Sequence, residues 1–231
     1  MYQFMVFKKR PTSRARGRAR AFTPPQKIII MFGQVIDGFN RTGKIAADTF
    51  HFFSLFGHPK TAEHCAAVAG KAIELAQKFA SDPGKAEQAG YLHDISAVIP
   101  NEKRIEFAHN QRVAILAAER QCPMILHQKL SVVIARDAFD VIDYEILSAI
   151  GCHTTLKAKA TLLDKVVFLA DKIAWDQAGQ PPYWSAVIKA LDMSIDAAVL
   201  AYLNYLWERR AQLQVIHPWF VAARAELLQV A

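Results

Sequence analysis

The chain has 231 residues, 52% of them hydrophobic and 21% charged, a balance that excludes an intrinsically disordered protein and suits a compact domain with its own core. The formal net charge of +7 is typical of a nucleic-acid-binding protein until the charges are located along the chain. Seven of the 28 basic residues fall within residues 1–20, which contain no acid, and the other 21 equal the 21 acidic residues in number. The basicity therefore belongs to the N-terminal segment, and the rest of the chain is neutral.

The N-terminal segment has a composition that cannot build a core, because residues 8–20 combine mainly Arg, Lys, Ser, Gly and Pro. We predict that residues 1–30 form a disordered basic extension and that an all-helical domain occupies residues 40–231. Two other interpretations of the extension stay open. It is either an arm for RNA binding or targeting, or an upstream start with Met31 as the true beginning.

The cysteines and the apolar runs indicate the cellular compartment. Cys65, Cys122 and Cys152 are odd in number and form no CxxC pair, so we expect no disulfide framework and a cytoplasmic location. The apolar run at residues 28–32 is far shorter than the ~20 residues that a membrane-spanning helix needs, and no secretory signal peptide is predicted. We therefore expect a soluble protein that makes no membrane contact.

From about residue 40 the hydrophobic pattern is helical almost without interruption. Pro59 precedes a long helix in which His64 shares one face with apolar residues. Ser81-Asp82-Pro83 is a helix-start signal, and the helix that it opens reaches His93. Asn101 is predicted to cap a short helix.

The second half of the chain continues in the same way. The predicted helices span residues 123–138, 143–152, 161–175, 185–214 and 218–230. The fourth of these is expected to break near Asp192, after a Gly/Pro loop at residues 177–182. Since residues 28–30 are the only stretch that suits a strand, the sequence predicts an all-α fold.

Polar residues interrupt the apolar helical stripes in four places: His64, the dipeptide His93-Asp94, His153 and Asp171. Each has an ordinary explanation alone, because a single His on an apolar face is more often a hydrogen-bonded core residue than a ligand. Together, two imidazoles and two carboxylates from three apolar helices form a nitrogen and oxygen set suited to a divalent ion. We therefore predict that His64, His93, Asp94 and Asp171 bind a metal ion.

The order His64, His93-Asp94 and Asp171 resembles that of the HD-domain phosphohydrolases. Over roughly residues 50–190 the chain looks most like the bacterial branch called YqeK, especially at Leu126-His127 and in the run AIGCHTT at residues 149–155. This resemblance implies a single all-α HD-domain bundle that hydrolyses diadenosine tetraphosphate symmetrically to two ADP. It also implies bound iron as the cofactor, with manganese or magnesium as alternatives.

Roles for individual residues follow from the same resemblance. The positions that match metal ligands are His64, His93, Asp94 and Asp171. His127 and His153 match histidines that line the phosphate site, with Thr154 beside them. A water bound to the metal at Asp94 is expected to attack in line, while His127 and His153 stabilise the developing charge or protonate the leaving phosphate. Lys60, one turn before the first ligand, is a candidate phosphate contact, and an ordinary surface lysine is the alternative.

Two departures from the family pattern affect the expected substrate. Leu156 follows His-Thr-Thr where the family commonly has Gly, and residues 174–183 lack an Arg that commonly contacts the nucleotide. Trp175 or Tyr183 is a candidate for stacking on a base instead, and a place in the core or in a lid is the alternative for both.

Three other functions remain open. The first is hydrolysis of another nucleotide or of a small phosphate ester, and the second is a non-catalytic HD module that binds nucleotide, or RNA through the basic arm. The third is a purely structural helical protein, which predicts no bound metal. The expected partner is the nucleotide substrate, with nucleic acid only through the basic arm. A homodimer formed by the C-terminal helices is also open.

Overall fold

The structure is a computed structural model that describes residue 39 and residues 41–230. The basic extension predicted at residues 1–30 and the possible strand at residues 28–30 lie outside the described residues. The described part of the chain is helical and contains no β-strand, which confirms the predicted all-α fold. None of the described helices combines the length and the apolar character needed to cross a bilayer.

The α-helices, in chain order, are α1 (Ile45–Leu55), α2 (Pro59–Lys78), α3 (Pro83–Leu92), α4 (Arg104–Asn110), α5 (Ala117–Gln121), α6 (His127–Phe139), α7 (Tyr144–Cys152), α8 (Leu162–Ile173), α9 (Trp184–Ala190), α10 (Ile195–Glu208) and α11 (Pro218–Val230). Short 3₁₀ turns join several of them at Ile95–Val98, Asn101–Lys103, Pro123–Leu126 and Arg210–Gln212. Most predicted helices are therefore present with nearly the expected bounds.

The helix-start signal predicted at Asp82 and the helix predicted to begin at residue 161 are confirmed. Asp82 Oδ1 accepts hydrogen bonds from the backbone N–H groups of Gly84 at 2.8 Å and Lys85 at 3.1 Å. Thr161 and Asp164 form a capping box. Thr161 Oγ1 accepts from the backbone N–H of Asp164 at 3.1 Å, and Asp164 Oδ2 accepts from the backbone N–H of Thr161 at 2.9 Å. These caps fix the first turns of α3 and α8, two helices that carry candidate site residues.

Some helix bounds differ from the prediction: the helix predicted from residue 123 starts at His127, after a 3₁₀ turn. Asn101 makes no side-chain cap; it begins a 3₁₀ turn, and the α-helix starts only at Arg104. Helix α8 ends at Ile173 and does not reach Trp175, because the backbone leaves the helical region at the next residue, where ψ is 65°. The expected break near Asp192 is present, and α10 starts after it.

Helices α2, α3, α7 and α8 pack against one another at the centre of the domain, and α6 packs on α7. Helices α2 and α3 approach very closely at Gly90, where an added Cβ would lie 2.6 Å from the Cα atom of Ala69. One buried hydrophobic cluster runs through these helices and continues into α10 and α11. This packing brings the C-terminal ends of α3 and α7 and the start of α6 next to α2 and α8.

Candidate metal centre

Three histidines stand at helix ends, where each ring donates its Nδ1–H to the backbone carbonyl three residues earlier. The Nδ1–O distances are 2.8 Å for His93 and Gly90, 2.5 Å for His127 and Met124, and 2.8 Å for His153 and Ile150. Because a carbonyl oxygen only accepts, these bonds fix Nδ1 as the nitrogen that keeps its proton. The Nε2 atom of each ring therefore points into the site, as in a metal-binding histidine oriented by a backbone acceptor.

The Nε2 atoms of His127 and His153 lie 2.9 Å apart, and Asp94 Oδ1 lies 3.2 Å from the first and 3.5 Å from the second. The Thr154 hydroxyl lies 3.0 Å from His127 Nε2 and can donate a hydrogen to it. Burial lowers the pKa of His127 to about 3, and burial also lowers the pKa of His153. Both rings are therefore neutral near pH 7, and their lone pairs crowd a carboxylate oxygen in an arrangement that a cation stabilises.

A second group of polar atoms meets on the other side of Asp94. Asp171 Oδ1 lies 3.2 Å from His64 Nε2 and 3.5 Å from His93 Nε2, and Asp94 Oδ2 lies 3.8 Å from His93 Nε2. Within residues 41–230, neither His93 Nε2 nor Asp94 Oδ1 finds a hydrogen-bond partner, although both atoms are buried. Unpaired buried polar atoms are costly, so their presence here fits a site that binds a cation.

Six buried residues supply the atoms that can hold a metal ion. Their ligand atoms lie within 4.8 Å of one another in three overlapping groups: His64, His93 and Asp94; His93, His153 and Asp171; and Asp94, His127 and His153. Imidazole nitrogens mixed with carboxylate oxygens suit iron, manganese and similar divalent ions better than they suit Ca²⁺. The structure thus brings together all four residues predicted as metal ligands and both histidines predicted to line the phosphate site.

The charges of the site are strongly coupled. For Asp94, burial opposes ionisation, but the positive charge of His93 outweighs it and holds the carboxyl pKa well below its ordinary value. For His93, burial likewise opposes charge, and Asp94 outweighs it, so the imidazole pKa lies well above the ordinary value. In the metal-free protein, His93 therefore holds a proton at Nε2, the atom that a metal ion would take instead.

Lys172 is a site residue that the sequence analysis missed. Its side chain is buried, and its ammonium donates to Asp171 Oδ2 and, at 3.1 Å, to the carbonyl oxygen of His153. The ammonium also lies over the rings of Phe168 and Tyr202, 5.1 and 5.9 Å from their centroids. Lys172 thus satisfies the outer oxygen of Asp171 and leaves Oδ1 facing the imidazoles. Its position inside an apolar run was the signal available in the sequence.

Buried side chains also hold the backbone around His127. Ser96 Oγ donates to the carbonyl oxygen of His127 at 2.8 Å and lies 3.1 Å from Ser131 Oγ on α6. Arg104 Nη1 donates at 2.8 Å to the carbonyl oxygen of Met124, the same oxygen that accepts from His127 Nδ1. These contacts tie the segment after the His-Asp dipeptide to the start of α6.

The remaining predicted substrate contacts lie further out. Lys60 is exposed on the first turn of α2, on the same side of the helix as His64 by its spacing of four residues. Trp175 is half-buried, with its ring edge-on to that of Tyr183 at a centroid distance of 6.4 Å. Tyr183 is buried in the core, and its hydroxyl donates to the carbonyl oxygen of Lys172 at 3.1 Å. Of the two interpretations of Tyr183, the structure therefore supports core packing over base stacking.

Leu156, the residue that replaces the family's Gly, adopts the backbone conformation that Gly favours. Its φ is +56°, in the left-handed region, and its side chain is buried in the main core. A left-handed residue other than Gly costs about 1–2 kcal/mol, and burial of a leucine side chain offsets this with about 1.5–3 kcal/mol. The turn after His-Thr-Thr therefore accommodates a leucine at a left-handed position.

Comparison with known proteins agrees with this geometry. An uncharacterized protein in the pepC 5′ region of Lactococcus lactis subsp. cremoris is 44% identical over 139 residues, which make up 60% of this chain and 70% of that protein. The symmetrical bis(5′-nucleosyl)-tetraphosphatase of Bacillus subtilis (strain 168) is 31% identical over 115 residues, covering 50% of this chain and 61% of the enzyme. The match therefore spans about three fifths of the named enzyme's own length.

The fold has a counterpart among solved structures. A predicted HD superfamily hydrolase involved in NAD metabolism from Clostridium acetobutylicum superposes with a TM-score of 0.72 over 84% of this chain and 100% of that one, at 24% sequence identity. At this identity the likeness concerns the fold alone. The HD domain family matches residues 61–176, which contain all the residues of the histidine and aspartate cluster. This match covers half of the chain, and the protein therefore belongs to the HD domain family.

Proposed function

We propose that this protein is a metal-dependent phosphohydrolase that cleaves a nucleotide phosphoanhydride, with diadenosine tetraphosphate as the substrate and two ADP as the products. The observation that carries the proposal is the convergence of imidazole Nε2 atoms and two carboxylates on one buried point. The names of the tetraphosphatase relatives, from Bacillus subtilis and from Staphylococcus aureus at 31% identity each, support the choice of substrate.

In this proposal the metal ligands are His64, His93, Asp94 and Asp171. These residues would hold a divalent ion, iron in preference to manganese or magnesium, and the ion would supply polarisation of a phosphoryl oxygen and a water molecule that is nucleophilic near neutral pH. The chain orients these ligands before any ion arrives, because His93 is held by its bond to the Gly90 carbonyl and Asp171 by the Lys172 ammonium.

The phosphate side of the site consists of His127, His153 and Thr154. The lone pairs of the two Nε2 atoms, 2.9 Å apart, can take up the proton that the attacking water releases and pass it to the oxygen of the departing ADP. When His127 Nε2 carries a proton, the Thr154 hydroxyl, 3.0 Å away, can accept from it and donate its own hydrogen to a phosphate oxygen. Lys60 and Trp175 are proposed as outer contacts to phosphate and base.

The test is an assay of the purified full-length chain with diadenosine tetraphosphate. Protein prepared under low oxygen is freed of metal, reloaded with Fe²⁺, Mn²⁺ or Mg²⁺, and incubated with substrate before the products are separated by chromatography. We expect ADP as the sole product with Fe²⁺ and no turnover of the metal-free protein. ATP with AMP as the products would show asymmetrical cleavage. Bound metal without turnover would contradict the proposal that diadenosine tetraphosphate is the substrate.

A second candidate is hydrolysis of a different nucleotide or of a small phosphate ester. It is favoured by the lack of Arg in residues 174–183, since an arginine is the usual bidentate partner of a phosphate. A panel of nucleotides and phosphate esters, assayed side by side with diadenosine tetraphosphate, separates the two. The higher kcat/KM identifies the substrate class.

The basic N-terminal segment is proposed to be dispensable for turnover. Deletion of residues 1–30 is expected to leave the kcat of the folded protein unchanged, because the cluster of site residues begins at His64. Salt-sensitive RNA binding that disappears with this deletion would instead support an RNA-binding arm.

A further inference from the structure

Gln128 directly follows His127 in the first turn of α6 and is completely buried. Its side-chain Oε1 accepts hydrogen bonds from the backbone N–H groups of Thr154 at 3.2 Å and Thr155 at 3.3 Å. Its Nε2 donates to Thr155 Oγ1 at 3.1 Å. One amide side chain therefore satisfies two buried N–H groups and a hydroxyl in the segment that follows His153.

This segment needs an external support because its own backbone is strained. Helix α7 ends at Cys152, and four residues later Leu156 has the left-handed φ of +56°. A strained residue persists only where its surroundings impose its conformation. Burial of the Leu156 side chain helps to hold its left-handed conformation. The N–H groups of the two preceding residues are held by hydrogen bonds to Gln128.

The segment held by Gln128 carries two groups of the proposed phosphate site. The His153 imidazole faces His127 at 2.9 Å between Nε2 atoms, and the Thr154 hydroxyl lies 3.0 Å from the same His127 nitrogen. Both distances depend on the separation of α6 from the end of α7. Gln128 is anchored on α6 one residue after His127, so its amide ties the backbone of Thr154 and Thr155 to the start of α6.

We propose that Gln128 is a positioning residue that holds the backbone of residues 153–155 so that His153 and Thr154 stay aligned with His127. The expected loss of turnover in its variants rests on the proposed function, whereas the expected change in ring alignment does not. The side chain lies behind the histidines and acts through them. No role in binding the metal is assigned to it.

The experiment compares three full-length proteins. Gln128→Met keeps the volume of the side chain but removes both the acceptor and the donor. Gln128→Glu keeps an acceptor for the two N–H groups. Ser148→Ala is the matched control. Ser148 is a buried residue of α7 whose hydroxyl donates to Asp164 Oδ1 at 2.6 Å and accepts from Lys157 Nζ at 2.7 Å, and its hydrogen bonds are to these residues and not to residues 153–155.

We expect Gln128→Met to lower kcat for diadenosine tetraphosphate by about 10- to 100-fold, since a displacement of catalytic groups by an ångström has effects of this size. The metal content of Gln128→Met should equal that of wild type. Gln128→Glu restores the acceptor, so its kcat should be at least about tenfold higher than that of Gln128→Met. Ser148→Ala should lose stability with kcat unchanged. If Gln128→Met behaves like Ser148→Ala, Gln128 is merely structural and the inference is wrong.

A second readout keeps the inference separate from the proposed function. In the full chain loaded with diamagnetic Mg²⁺, the imidazole nitrogen signals of His127 and His153 report ring alignment by NMR. They should shift in Gln128→Met and stay in place in Ser148→Ala, even if wild type hydrolyses none of the substrates. Unchanged signals would overturn the inference. Gln128→Asn, which withdraws the amide by one methylene, replaces Gln128→Met in both tests if the latter does not fold.

Discussion

His127 and His153 face each other through Nε2 atoms 2.9 Å apart, although the Nδ1–H of each ring is already donated to a backbone carbonyl. Two neutral rings held in this way present lone pairs to each other. The pair is therefore built to receive a cation or a shared proton, and the cost of protonating it in the metal-free protein makes stability depend on pH.

We predict that the metal-free protein loses stability on acidification below about pH 6.5. Burial lowers the pKa of His127 from 6.5 to about 3, so between these values the unfolded chain binds a proton that the folded chain does not. The free energy of unfolding then falls as the pH falls, by up to roughly 1.4 kcal/mol per pH unit for this group. His153 acts in the same direction. His93, whose pKa is raised, contributes stability below pH 6.5 that is lost only at higher pH.

The measurement is urea unfolding of the metal-free protein at pH 7.5, 6.0 and 5.0. His127→Leu should show a flatter dependence than wild type between pH 6.0 and 5.0, because it lacks one of the groups that become protonated on unfolding. A wild-type stability that is constant or rises towards pH 5.0 would contradict the prediction.

Removal of a metal ligand should abolish both metal content and hydrolysis. We predict this for His93→Ala and for Asp94→Ala, since each removes an atom that lies at the centre of the buried cluster. His109→Ala is the matched control, because His109 is exposed on α4. Metal analysis and turnover are measured on the same samples. A His93→Ala protein with wild-type metal and activity would refute the site.

Gly90→Ala should disrupt the contact between α2 and α3. The new Cβ would lie 2.6 Å from the Cα atom of Ala69, a backbone atom that cannot move aside without shifting the helix. We expect a loss of about 1–3 kcal/mol or more in the free energy of unfolding, and weaker metal binding because the Gly90 carbonyl orients His93.

The matched control is Gly70→Ala in the middle of α2, where the added methyl meets nothing within 4 Å. It should stabilise the protein by up to about 1 kcal/mol through helix propensity. Equal effects of the two substitutions in thermal unfolding would show that the close approach at Gly90 is not a constraint.

Substitutions at Leu156 should follow an unusual order of stability. The free energy of unfolding should be highest for wild type, lower for Leu156→Gly and lowest for Leu156→Ala. Both substitutions lose the buried side chain, at a cost of about 2–5 kcal/mol, but only Gly relieves the left-handed strain of about 1–2 kcal/mol. At Leu203, a buried position within α10, the order of Gly and Ala should be reversed. Urea unfolding of all four variants checks this, and the same order at both positions would contradict it.

Local features of the fold were predictable from the sequence. The start of α3 follows from the side chain of Asp82, and that of α8 from Thr161, because a cap acts within the first turn of its own helix. The grouping of His64 with Asp171 was predictable only as an unusual set of polar residues on apolar faces. Their order along the chain matches the HD-domain pattern, and this resemblance is what identified them as one set of metal ligands.

The support around the site was not predictable in the same way. Lys172 reaches the carbonyl of His153 across 19 residues, and Gln128 reaches Thr155 across 27. Such contacts depend on how helices pack. The apolar run around Lys172 indicates that its side chain is buried, but neither that run nor the sequence around Gln128 indicates which backbone groups these side chains reach. The 3₁₀ turn before His127 was also missed, because its four residues suit a continuous helix equally well.

The short span of the histidine bonds has a consequence for the order of assembly during folding. Each Nδ1 bond joins residues three apart, so His93, His127 and His153 acquire their ring orientations as soon as the individual helix ends form. By contrast, His64 and Asp171 are 107 residues apart and meet only after α8 has docked. The ligand set is complete only at this late step. An ion that binds all the ligands therefore stabilises the state in which α8 has docked, and it does not stabilise states that precede this docking.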